Sequence, residues 1–94
     1  MDVTVNVCNQ DNEPLKKASV WIENKAETYT TDKDGNIELG QIEEDTHLEI
    51  FAGYCSDYIA GHESVTVSKG MTLPIKIRLN LDKVTCITRN KVHV

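Results

Sequence analysis

The side chains able to do chemistry in this sequence are few and scattered. Cys8, Cys55 and Cys86, with His47, His62 and His93, are its soft donors. Thiolates and imidazoles together could hold zinc, but no CxxC pair exists and none of the six has metal-ligand spacing. Scattered cysteines more often act as small apolar fillers, and that role is favoured. The odd count excludes a dense disulfide framework. Three reduced thiols are the expected state in a reducing compartment. A Cys8–Cys86 bridge would require the tail to lie beside the first strand.

Nucleophilic catalysis needs a Ser or Cys beside a base and an orienting acid. Cys55, Asp57 and His62 fall in one stretch and make the only local candidate, a small hydrolase with a Cys/His loop. Nothing in their spacing forces them together, and no nucleophile-elbow glycine pattern is present. A solvated loop is the favoured reading. Calcium is the other possibility. Counting from Thr30 as loop position 1 puts Asp32 at 3, Asp34 at 5, Gly35 at 6, Ile37 at 8 and Gln41 at 12. An EF-hand needs an acid at position 1 and a bidentate Glu at 12, and this stretch has Thr and Gln. A plain turn is favoured, with no metal or other cofactor expected.

Four aromatic side chains, Trp21, Tyr29, Tyr54 and Tyr58, are candidates for an interaction surface. Trp21 and Tyr29 lie on adjacent predicted strands, so one outer face could carry both. Stacked sugars would use such a platform. Aromatics are only 5% of the chain, and Tyr54 fits a corner-packing role. Packing or a protein contact is favoured over a glycan platform.

The elements that must position these residues are strands. The segment 3–8 alternates with period two, Val3, Val5 and Val7 on one face and Thr4, Asn6 and Cys8 on a solvated one. Turn formers follow up to Pro14, which cannot donate to a ladder. Further strands are read over 18–23, with Ala18, Val20 and Ile22 inward, and over 27–31, short and near an edge. Asp34-Gly35 predicts a hairpin tip, because glycine takes positive φ without steric cost. Asp32 can bond the backbone ahead of it and start the turn. Beyond it Ile37-Glu38-Leu39 is a strand that Gly40 breaks. Strands over 46–51, 64–68 and 72–81 complete the set. Pro74 suggests that its side of the last strand lacks a partner. No segment keeps a helical period. Strands recurring every eight to twelve residues, with turn chemistry between them, predict an all-β sandwich or barrel.

Ninety-four residues make one domain. The formal net charge is −5. Residues 1–80 hold 14 acids against 7 bases, and residues 81–94 hold 1 acid against 3 bases. An acidic body argues against nucleic acid and anionic membrane surfaces as partners. No apolar run is long enough to span a bilayer, so no membrane insertion is expected. The first residues have neither the basic nor the apolar region of a signal peptide.

In order, a Val-rich strand, Asp11-Asn12-Glu13-Pro14-Leu15, Ala18-Ser19-Val20, the turn Thr31 to Ile37, the strand into Phe51, Ala52-Gly53-Tyr54 and a final strand after Lys69-Gly70 resemble the carboxypeptidase regulatory-like domain. That family is a prealbumin-like (transthyretin-like) β-sandwich. The resemblance covers residues 3–80. It departs where the family often has glycines and this chain has Glu13 and Lys17, and where an aromatic is usual and Ile37 stands. It implies an antiparallel, Greek-key-type sandwich of about seven strands over residues 1–80. It also implies a non-catalytic interaction or spacer module, an accessory domain of a larger surface or exported protein in the cell envelope or outside the cell. The expected partner is a protein, with a carbohydrate-binding module using the outer-face aromatics as the alternative. The transthyretin-like hydrolases share the fold, but their C-terminal Tyr-Arg-Gly-Ser signature is absent. The extension 81–94 has strong β propensity at Val84–Thr88. It is expected to add a strand to a sheet edge, leaving a monomer, or to pair with another chain as a weak dimer.

Overall fold

The structure is a computed structural model and describes residues 1–54 and 61–80. Seven strands are present: β1 (Asp2–Cys8), β2 (Ser19–Ile22), β3 (Thr28–Thr30), β4 (Asn36–Gln41), β5 (His47–Gly53), β6 (Gly61–Thr66) and β7 (Ile75–Arg78). They form a three-stranded sheet in the order β4-β1-β7 and a four-stranded sheet in the order β3-β2-β5-β6. No helix occurs among the described residues. The expected all-β sandwich of about seven strands is therefore the fold observed.

The period-two pattern accounts for the core. Val3, Val5 and Val7 from β1 meet Val20 and Ile22 from β2, Leu48, Ile50 and Ala52 from β5, and Ile75 and Ile77 from β7. Ala18, Val67 and Leu79 extend the cluster from the strand flanks, all fully buried. Aliphatic side chains alternating on facing strands interdigitate between sheets, which is how a sandwich is filled.

Several expectations are corrected. The Asp34-Gly35 turn is not a hairpin tip. β3 and β4 lie in different sheets, so the turn carries the chain across the sandwich. Two anchors explain the crossing. Thr31 is buried, and its hydroxyl accepts from the Ala18 amide and donates to the Leu15 carbonyl. Beyond the turn, the Val7 amide donates to the Gly35 carbonyl at 2.8 Å, drawing the chain onto β1. The Asp32 carboxylate accepts from the amides of Asp34 and Asn36, both at 2.9 Å, and so closes the turn on itself.

The sheets are not wholly antiparallel, because β7 runs parallel to β1. Gly40 does not end its strand. β4 continues to Gln41 through a bulge, where Val3 pairs with Gly40 and Thr4 with Glu38, and the positive φ of Gly40 is what such a bulge needs. β6 begins at Gly61, earlier than the sequence pattern suggests, because polar His62 and Glu63 hide the alternation. Pro74 precedes β7 and so removes no ladder bond. Cys8 is not solvated. It is a buried free thiol, bridged by backbone to Pro14 and opposite Arg78 in register. The expected strand at Val84–Thr88, with its dimer, lies outside the described residues. So do Cys55, Asp57, Tyr58, Cys86 and His93.

Candidate interaction face

The exposed face of the four-stranded sheet gathers what the sequence scatters. Residues of one parity on β2, β5 and β6 point outward. Register places Thr28 beside Trp21, Trp21 beside Phe51 and Phe51 beside His62. One row therefore crosses all four strands. The rings of Trp21 and Phe51 stack with centroids 6.0 Å apart and planes 17° off parallel. Phe51 and His62 stack at 4.7 Å and 21°. Aromatic pairs favour such offset stacks, which add to the area they cover.

Beside this row lies a polar cluster centred on Glu49. Its carboxylate accepts from Ser64 Oγ at 2.6 Å, from His62 Nε2 at 2.6 Å and from His47 Nε2. Thr66 Oγ1 lies 3.1 Å from Nδ1 of the same His47 ring. The Ser64 bond, followed by those to His47 and His62, holds the Glu49 carboxyl at about 2, well below its ordinary value of 4.5. A carboxylate that collects donors resists protonation.

The linkage has a definite sign. Glu49 has a folded value below its unfolded one, so its contribution to stability is fully present above about pH 4.5. It is lost as the pH falls toward about 2. Denaturant melts of the wild type and Glu49→Gln across that window should converge on acidification. Parallel pH profiles would contradict the network.

The cluster is not a catalytic triad. In such a triad the hydroxyl and the acid bond opposite ring nitrogens. Here Ser64 Oγ, at 3.1 Å, and Glu49 meet the same Nε2 of His47, and the Ser64 hydroxyl donates to Glu49. The serine proton thus goes to the acid, and the histidine is not placed as its base. Nor do the described residues include a group of three ligands able to hold a metal ion.

Of the aromatic candidates, Trp21 lies on this face. Tyr29 does not share it. Register pairs Tyr29 with Val20, a core residue, and Tyr29 packs against the core. Tyr54 also packs there, at the corner after β5. The sequence reading missed Phe51, Glu49, His62 and Ser64 as neighbours. The signal was available in His47-x-Glu49-x-Phe51, the outward residues of a strand whose Leu48 and Ile50 point in.

No family model and no curated protein matches the chain. Ten chains of solved structures do. One is the Caf1A usher C-terminal domain, described as carrying conserved hydrophobic clusters on its surface that are important for F1 antigen assembly. It aligns with 85% of this chain and 99% of its own, at 12% identity and a TM-score of 0.56. A likeness at that identity shows the fold, a β-sandwich domain.

Proposed function

We propose that the chain is a non-catalytic β-sandwich module of the carboxypeptidase regulatory-like type that binds a protein partner. It would serve as an accessory domain of a larger surface or exported protein. The observation that carries this reading is the stacked row Trp21–Phe51–His62 on an outer sheet face. Aromatic residues are enriched in protein interfaces and dominate their energetics. The all-β sandwich supports a module of this kind, and the usher domain offers a sandwich whose surface apolar clusters matter for assembly.

The same row speaks against a flat sugar platform. A sugar stacks on an exposed ring face, but Phe51 is stacked with both neighbours and Trp21 and His62 each turn one face to it. Their edges and the Glu49 cluster are what a partner would meet.

The test begins with capture of a partner from extracts of the source cells by the intact chain, followed by titration. Trp21→Ala and Phe51→Ala should each weaken binding by about thirtyfold, the effect of losing a central anchor worth roughly 2 kcal/mol. Glu38→Ala, on the other sheet, should leave it unchanged. Equal binding by all three would overturn the reading. A glycan-array signal abolished by Trp21→Ala would replace it with the carbohydrate one.

A further inference from the structure

A second surface lies at the edge of the sandwich and shares only His62 with the aromatic row. Among the described residues, β6 is the outermost strand of one sheet and β7 of the other. They approach at Gly61, where a Cβ would stand 2.5 Å from Leu79 Cδ2 and 2.7 Å from Ile77 Cγ2. Beside this contact opens a groove of about 330 Å³, lined by Cys8, His62, Glu63, Lys76, Ile77 and Arg78. The opposite edge, β3 and β4, is bridged by the covalent crossing at Thr31–Gly35. An outermost strand directs every second N–H and C=O away from its own sheet, and these groups can template an added strand.

The chemistry of the groove is the reverse of the chain's. The protein has a net charge of −5, yet here Lys76 and Arg78 stand against the single acid Glu63. Both cations are exposed and alternate with buried Ile75 and Ile77 along β7. The Arg78 guanidinium donates to Asn12 Oδ1 at 2.6 Å. Among the described residues the ion pairs are those of His47 and His62 with Glu49, so neither Lys76 nor Arg78 has a carboxylate partner there.

We infer that this groove binds an extended acidic peptide segment that adds to the edge of β7, which has no neighbouring strand on that side among the described residues. Side chains on neighbouring strands sit side by side with period two. Two carboxylates two residues apart on the added strand therefore fall beside Lys76 and Arg78. An apolar residue between them turns inward, toward Ile77. Main-chain pairing supplies affinity in this mode and the alternate side chains supply specificity. Residues 81–94 lie outside the described residues and hold one acid and three bases, so they carry no pair of alternating carboxylates.

The inference does not rest on the aromatic face and is tested apart from it. The probe is acetyl-Val-Glu-Val-Glu-Val-amide, titrated into the full chain and followed by amide chemical shifts. Shifts are expected at Ile75–Arg78 and Glu63. The Val-Lys-Val-Lys-Val counterpart should not bind. Lys76→Glu with Arg78→Glu should weaken the acidic probe by about tenfold or more, and so should N-methylation of the probe's pairing amides. Trp21→Ala should change nothing. Both charge-reversed positions are exposed, so the fold should survive, and the wild-type shift map stands without them. No binding at about 1 mM probe, equal binding of the lysine peptide, or undiminished binding of the N-methylated probe would each overturn the proposal.

Discussion

Replacing Gly35 with alanine should destabilise the fold by about 3 kcal/mol, the largest effect expected of a single methyl group here. Two costs combine. Gly35 has φ +77, in the left-handed region, where a side chain costs about 1–3 kcal/mol. An alanine Cβ would also stand 2.5 Å from the Val7 carbonyl oxygen, with the Leu15 amide nitrogen at 3.2 Å. The first obstacle is backbone of β1, and it cannot swing aside as a side chain would. Moving it disturbs the anchor between the crossing and the three-stranded sheet, a cost of overpacking of about 1–3 kcal/mol. The unfolding midpoint of a domain of this size should fall by roughly 12–24 °C. Gly40→Ala is the control. Its φ is +85, but nothing lies within 4 Å of the added Cβ. It should lose only the conformational part. Equal midpoints for the two variants would show that Gly35 does not lie against β1.

Thr31→Val should have a comparable effect, about 2–4 kcal/mol. Thr31 is 3% exposed, and valine matches its shape. The loss is therefore polar. The hydroxyl accepts from the Ala18 amide at 2.8 Å and donates to the Leu15 carbonyl at 2.5 Å. Valine would leave both backbone groups buried without those partners, and each such group costs about 1–3 kcal/mol. Thr31→Ser keeps the hydroxyl, gives up one methyl and should cost about 1 kcal/mol. Urea denaturation of the three proteins checks the order. A valine variant as stable as the serine variant would mean that the hydroxyl does not hold the crossing.

These two residues also mark where the sequence stops being legible. Alternation identified the strands and the inward residues of the first two, because burying one face of a strand demands period two. It could not say to which sheet a strand belongs. Asp34-Gly35 reads equally well as a hairpin tip or a crossing, since both need a residue that tolerates positive φ. The deciding contacts, Thr31 to Leu15 and Ala18 and Gly35 to Val7, join segments far apart in sequence. Cys8 was misplaced for a related reason. Its parity points outward, yet it is buried, bridged by backbone to Pro14 and opposite Arg78 in register. At the candidate site, period two put Trp21 outward, but its adjacency to Phe51 depends on the pairing of β2 with β5. Register likewise separates Tyr29 from Trp21, although their strands are neighbours.

Trp21 is the only tryptophan in the chain, and it sits at one end of the aromatic row. Its emission therefore reports directly on the face proposed to bind. The captured protein partner and a panel of oligosaccharides should be titrated in turn into the intact chain. The expected result is a blue shift of the Trp21 emission that saturates with the protein partner, and no response to any oligosaccharide. Saturable binding of the partner with unchanged Trp21 emission, or a saturable response to a sugar, would contradict the assignment of this face to protein recognition.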